Sequence, residues 1–354
     1  MIIYWAMLAV AGLAALADFR PEVARRAGGE AGWVLTWAAL TLIIGFRFEV
    51  GPDWVSYLRI HNYAARIDLI DAIGYSDPGY TVVNWISARL GWGIYGVNLF
   101  CGAVFSAGLI AFCRTLPRPA LALAVAVPSL VIVAAMGYSR QGTAIGLALF
   151  ALIALSRKRP LRFVMWILFA SLFHRSAVIL LPLVAMVTGR GRIWSIAGII
   201  IMLGLLYTTW IADRADLYVQ RYVVARNYSS EGALIRVVMN AAPAVLFLLL
   251  RRRFALEPQT ERLWTWMSLL SLVTLGALAV SPSTTIVDRV ALYLVPIQLF
   301  VFASLPGVIR SERTAALPII AAIIGGYGLV LGVWLTMAEN ATAWLPYRFA
   351  PFMG

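Results

Sequence analysis

The chain has 354 residues, 62% of them hydrophobic and only 13% charged, and its mean hydropathy is +0.85. A soluble domain carries roughly 25% charged residues, so a water-soluble globule is excluded and a polytopic membrane protein built of helices is expected. The net charge of +13 is scattered through short loops instead of lying along one face, which argues against nucleic acid as a partner.

Apolar segments fall near 2–17, 31–46, 94–113, 120–136, 142–155, 163–173, 176–188, 193–211, 234–250, 263–280, 289–305 and 314–336. Several are shorter than the ~20 residues of a full span. The expected fold is all-α, with about 10–12 transmembrane helices plus interfacial or re-entrant helices. One transmembrane domain over residues 1–354 accounts for the pattern. The first segment has no basic leader and reads as a span, not a signal peptide. Basic clusters occur at Arg20, Arg25 and Arg26, at Arg114 and Arg118, at Arg157, Lys158, Arg159 and Arg162, and at Arg190 and Arg192. Two more hold Arg251, Arg252, Arg253 and Arg262, then Arg310 and Arg313. With these spans every cluster lands on one face, which the positive-inside rule makes cytoplasmic, with both termini outside.

The other face collects the polar residues. Residues 47–91 form a long periplasmic segment, in which 54–73 read as an interfacial helix and 80–90 as a second, half-inserted one. The pair 163–173 and 176–188 reads as two short tilted spans or a re-entrant hairpin. Further external segments are 212–232, with Gln220-Arg221-Tyr222, and 281–288, which leads into Arg289. The tail 338–354 carries Trp344, Pro346, Tyr347 and Arg348. Cys101 and Cys113 fall on one helix roughly 18 Å apart, beyond disulfide reach.

Tyr138-Ser139-Arg140-Gln141 interrupts two apolar runs. A charge at that depth costs about 2.5–3.5 kcal/mol on insertion scales. Gly137 and Gly142 flank it, so a backbone break is expected that lets Arg140 meet an anionic ligand in a wet cavity. The competing reading is a solvated turn at the membrane surface. His174, beside Arg175 at the apex of the short pair, suits proton relay or donation to an anion, or a packed core position. His61 reads as surface. Asp53 and Tyr57 are four apart and share a helical face, and Asp53 also suits a helix N-cap. Asp77-Pro78-Gly79-Tyr80 is turn chemistry. Asp288-Arg289 opens a span, where the two charges neutralise each other or face a ligand.

There is no zinc-ligand spacing, no P-loop, no GxSxG and no GxGxxG after a strand, so zinc, nucleotide and serine-hydrolase chemistry have no support. No metal or other cofactor is expected, although a magnesium ion bridging Asp53 to a diphosphate stays open. What remains is an outward pocket of arginines, tyrosines, a histidine and carboxylates beside lipid. Arginine forks match diphosphates, aromatic rings match sugar faces, and a carboxylate can orient or deprotonate a hydroxyl.

The same residues resemble the EpsG family, the Wzy-type polymerases of bacterial exopolysaccharide synthesis. The resemblance covers about residues 45–350 and runs in order. Its motifs are Gly51-x-Asp53-x-x-x-Tyr57, Asp77-Pro78-Gly79-Tyr80, Arg140-Gln141, Phe173-His174-x-Ser176-Ala177, Arg221-Tyr222 and Trp344-x-Pro346-Tyr347. Asp stands at 77 where Glu is usual, and Tyr138-Ser139 replaces Met-Asn. The resemblance implies a membrane glycosyltransferase of the bacterial inner membrane acting on its periplasmic leaflet. It would move a growing glycan from undecaprenyl diphosphate to a hydroxyl of an incoming lipid-linked repeat. Arg140, helped by Arg221 or Arg289, would hold the diphosphate, and Asp53 or His174 would take the proton. Tyr57, Asp77, Tyr80, Gln141, Arg175, Tyr222, Asp288, Tyr347 and Arg348 would line the substrate path. A chain-length regulator or exporter would be a protein partner. A polysaccharide ligase, a membrane O-acyltransferase acting on glycan and a lipid-linked sugar flippase are the rival readings.

Overall fold

The computed structural model describes residues 1–17, 29–189, 192–206, 232–281, 284–309 and 313–352. The expected Arg221, Tyr222 and the loop around them lie outside the described residues.

The protein is an all-helical, polytopic membrane protein, and no strand occurs among the described residues. Six helices are long and apolar enough to cross a membrane. They are α6 (Gly93–Cys113), α7 with its extension (Pro119–Met136), α8 (Ser139–Ser156), α12 with its end (Ala233–Phe254), α13 (Pro258–Val280) and α16, whose apolar part is Ala316–Met337. A bent pair, α14 (Thr284–Leu292) and α15 (Pro296–Ile309), makes a seventh if counted as one span. Shorter apolar helices are α1 (Ile2–Ala17), α2 (Glu30–Gly45) and α9 (Pro160–Phe173), with a broken segment Arg175–Thr188. That segment is a 3-10 helix, Arg175–Leu180, followed by the short α10 (Leu183–Thr188). α11 is Arg192–Leu206.

Among the described residues, five helices begin with proline, at Pro78, Pro119, Pro160, Pro258 and Pro296. Proline suits that position because the first-turn N–H groups have no helical partner. The 47–91 segment folds as α3 (Trp54–Ala64), α4 (Leu69–Gly74) and α5 (Pro78–Arg89). The continuous helix expected over 54–73 is thus two pieces, parted at Ala65–Asp68. The span expected to start at Arg289 starts at Thr284 instead, and then bends by 50° at Tyr293–Val295. Pro296 explains the bend, since it lacks an N–H and disfavours helix in the residue before it.

The centre is the pair α7 and α8. The windows there are 94% and 78% buried, against 28% for Ala316–Met337, which therefore lies at the periphery. α7 runs on as a π-helix, Val127–Met136, and the chain breaks at Tyr138 before α8 starts. The break was legible, but its glycine has a different cause from the one expected. Gly137 keeps an ordinary helical φ of −82°. It is small because Trp344 lies against it, 2.4 Å from where a β-carbon would stand. Trp344 is anchored there by its Nε1–H to the Ile132 carbonyl (2.9 Å), and its own carbonyl accepts the Tyr4 hydroxyl (2.6 Å).

The helix ends sort into two sets. At one end Lys158 pairs with Glu257 (2.7 Å), Arg114 pairs with Glu30, and Gln259 donates to the Leu155 carbonyl (2.9 Å). At the other end lie Arg47, Asp77, Arg140, His174, Arg289 and Trp344, joined by the contacts described next.

Candidate active site

The site forms where the first turn of α8 meets the start of α5, the end of α9 and the last turn of α14. Arg140, the second residue of α8, donates from Nη1 to Asp77 Oδ2 (2.8 Å). Asp77 precedes α5 in a left-handed conformation (φ 54°, ψ 64°). Such strain costs a non-glycine residue of order 1 kcal/mol, and aspartate tolerates it best. The carboxylate does not cap its own helix. Its second oxygen accepts the backbone N–H of Arg175 (3.2 Å), so Asp77 ties three chain segments together. Burial pushes its carboxyl above the ordinary aspartate value, and Arg140 and the Arg175 N–H pull it part of the way back.

The guanidinium of Arg140 also lies 5.8 Å from the ring centroid of Tyr57, within cation–π range. Tyr57 packs on Tyr80 (5.6 Å), and its hydroxyl donates to Asp53 Oδ2 at a long 3.4 Å. Asp53 does occupy the N-cap position of α3, yet its side chain makes no cap bond. Burial, then the Asp53 charge, raises the Tyr57 phenol above its ordinary value. Among the described residues, the hydroxyl of Tyr80, Oδ1 of Asn84 and Nε of Arg140 have no hydrogen-bond partner. Unpaired buried polar groups are costly and are common where a ligand completes a site.

His174 sits in the break after α9. It shares a hydrogen bond through Nδ1 with Ser176 Oγ, and Ser176 donates to the Tyr293 hydroxyl (3.2 Å). Its charged neighbours are Arg289, Arg140 and Arg175. Burial and those three cations push the imidazole below its ordinary pKa, so it is neutral at pH 7. Gln141 donates to the backbone carbonyl of Arg289 (2.8 Å), which brings the start of α8 against α14.

Other expected residues sit elsewhere. Asp288 does not neutralise Arg289. It accepts a two-pronged bond from Arg236 of α12, Nε to Oδ1 (2.5 Å) and Nη2 to Oδ2 (2.6 Å), and both residues are buried. The turn of helix between 288 and 289 is the reason, since neighbours on a helix point about 100° apart. Tyr347 gives its hydroxyl to the Ile43 carbonyl (2.7 Å) and meets Tyr4 edge-on. Arg348 is exposed and pairs with Glu49 (2.5 Å). Neither is gathered into the Arg140 cluster.

Sequence reasoning missed Arg47, which has no exposed surface at all. Its guanidinium donates to the Ile44 carbonyl (2.5 Å), the Val50 carbonyl (3.3 Å), Ser139 Oγ (2.6 Å) and Asn98 Oδ1 (3.3 Å). It thereby pins the residue next to Arg140. It also missed Arg236. The signal that found Arg140, an arginine set in apolar sequence away from the basic clusters, was present at Arg236 but not at Arg47, which follows the end of an apolar helix.

The model of the EpsG family matches residues 32–349, nearly the whole chain. The chain belongs to the EpsG family. No curated protein and no solved structure matches it. EpsG membership ties this multi-pass membrane protein to exopolysaccharide-related polymerases, and it agrees with the motif order that first suggested the resemblance. The EpsG match spans Asp53, Asp77, Arg140, His174 and Arg289 without itself assigning a role to any of them.

Proposed function

We propose that this EpsG protein is a metal-independent glycosyltransferase that polymerises lipid-linked repeats on the periplasmic leaflet of a bacterial inner membrane. Its whole length works as one membrane domain. A hydroxyl oxygen of the incoming repeat attacks the anomeric carbon of the growing chain. The bond from that carbon to undecaprenyl diphosphate breaks, the diphosphate leaves with the electron pair, and the hydroxyl proton passes to a carboxylate.

The observation that supports this most is the convergence of Arg140, Arg175 and Arg289 around a neutral His174, at the helix ends opposite the basic clusters. Among the described residues, Asp77 is the acidic partner of Arg140. An arriving diphosphate brings more negative charge than one carboxylate. It takes hydrogen bonds from Arg140 and meets Arg289, whose guanidinium has no acidic partner among the described residues. These contacts strengthen as the leaving group gains charge, the point at which cations help the rate most. Of the two proton acceptors expected, the geometry favours Asp53. It is part-exposed beside Tyr57, whereas His174 is buried and ringed by cations, both of which oppose protonation. Tyr57 and Tyr80 are buried and packed on each other, and they support the Arg140 guanidinium from behind. A chain-length regulator or exporter would take over the product.

The test is purified protein in lipid nanodiscs given an undecaprenyl-diphosphate-linked repeat, with products read by mass spectrometry. The expected result is lipid-linked oligomers of increasing length and release of undecaprenyl diphosphate. Arg140→Lys should slow this about 10²-fold while expressing normally. Consumption without longer glycan, or wild-type polymer from Arg140→Lys, overturns the reading.

A further inference from the structure

A cavity of about 450 Å³ opens at the end of the molecule away from Arg140. It lies where α6, α8 and α15 end and α13 begins, which is the depth of lipid head groups if these helices span a bilayer. One side is aromatic. Trp264 and Phe300 stack face to face at 4.0 Å, with Phe254 tilted against Phe300 at 5.7 Å. The other side is polar and basic, with the hydroxyls of Ser156, Thr260 and Ser304 and the side chains of Arg118 and Arg253.

Gly307 leaves room for one of those arginines, since Nη1 of Arg118 lies 3.4 Å from where its β-carbon would stand. Two helices start at the rim. α7 begins at Pro119 directly after Arg118, and α13 begins at Pro258, two residues before Thr260. Helix starts present unpaired N–H groups and the positive end of the dipole. No carboxylate is found among the described residues that line the cavity. The cavity is far larger than a free phosphate needs, and half its wall is apolar, so the fitting ligand carries both an anion and hydrocarbon.

We propose that this cavity binds the phosphate head group of an anionic membrane lipid, held by Arg118 and Arg253 with the adjoining hydrocarbon against the aromatic wall. Basic pockets between membrane helices at the face rich in Lys and Arg are suited to such head groups. The site shares no residue with the Arg140 cluster, so it stands or falls apart from the proposed reaction.

The experiment is native mass spectrometry of the full-length protein in detergent, titrated with phosphatidylglycerol or with phosphatidylcholine. Phosphatidylglycerol should be retained and phosphatidylcholine washed away. Arg118→Gln with Arg253→Gln should weaken retention about tenfold or more, since two charge-assisted contacts go. Ser304→Leu keeps both charges but fills the cavity, and should weaken it as well. Arg252→Gln, an exposed neighbour that does not line the cavity, should leave it unchanged. Equal retention of both lipids, retention unaffected in both cavity variants, or equal loss in Arg252→Gln overturns the proposal. A third arm adds inorganic phosphate. Lipid retained in its presence supports the lipid assignment, and displacement by millimolar phosphate means a soluble phosphate compound is the occupant and overturns it.

Discussion

Arg47 offers the sharpest test of how the site is held. Its guanidinium reaches two carbonyls on its own segment, Ile44 and Val50, and two side chains on other helices, Asn98 and Ser139. Arg47→Lys keeps the charge but not the planar fork, and one ammonium cannot face four acceptors on three segments. Losing two of the bonds costs about 3–6 kcal/mol at roughly 1.5–3 each. Folded domains rest on only about 5–15 kcal/mol, so that is a large share. At about 2 °C per kcal/mol for a large chain, the apparent unfolding temperature should fall by at least ~6 °C. Tryptophan fluorescence of the detergent-solubilised protein on heating measures it. Ser139→Ala removes one of the same bonds. The double variant should therefore lose less than the sum of the singles, by about 1 kcal/mol or more. Wild-type unfolding of Arg47→Lys, or strict additivity with Ser139→Ala, would refute the idea that Arg47 clamps the start of α8.

Gly137→Ala drives a methyl into the Trp344 ring and should cost about 1–3 kcal/mol. A smaller ring in Gly137→Ala/Trp344→Phe should restore part of it in the same melting assay. Arg236→Met strands the buried Asp288 carboxylate and should cost about 3–5 kcal/mol, whereas Arg236→Met with Asp288→Leu should be milder than that single change. Asp77 has a pKa above its ordinary value in the folded protein, so the folded form holds that proton more tightly than the unfolded chain does. Its contribution to stability is thus greatest below the ordinary aspartate value and is lost as pH rises through the raised one. Asp77→Asn should flatten the melting temperature across that acidic window relative to wild type, and an unchanged profile would count against the assignment.

Much of this was legible because membrane sequence has few polar residues to explain. An all-helical membrane fold followed from composition, and the break at Tyr138–Arg140 from one arginine between two apolar runs. The motif spacing in 51–57 and 77–80 placed Tyr57 beside Asp53 and Asp77 at the start of a helix. What stayed hidden was partner choice. Asp288 and Arg289 are adjacent in sequence, but helix geometry turns one toward Arg236 on α12 and the other toward His174. Arg47 escaped because it ends an apolar helix, where an arginine ordinarily reaches water. Its burial depends on Asn98 and Ser139 arriving from 51 and 92 residues away. No local pattern announces such a meeting.

The buried arginines near the site are each paired within the protein. Each buried cation has a protein substitute for ligand oxygen. Arg47 uses carbonyls, a serine and an asparagine, Arg236 uses Asp288, and Arg140 uses Asp77. These substitutes are not equally hard to displace. Arg47 has no exposed surface and the Arg236 side chain is 9% exposed, whereas the Arg140 side chain is 26% exposed. Its Nε is still unpaired. Under the proposed function a diphosphate can therefore displace Asp77 from Arg140, and in doing so it releases the link from α8 to the start of α5. Binding and movement of the 78–89 helix are then one event under the proposed function. Asp77→Asn, which removes the competing carboxylate, should tighten lipid diphosphate binding, and unchanged binding in that variant would show that Asp77 never has to yield.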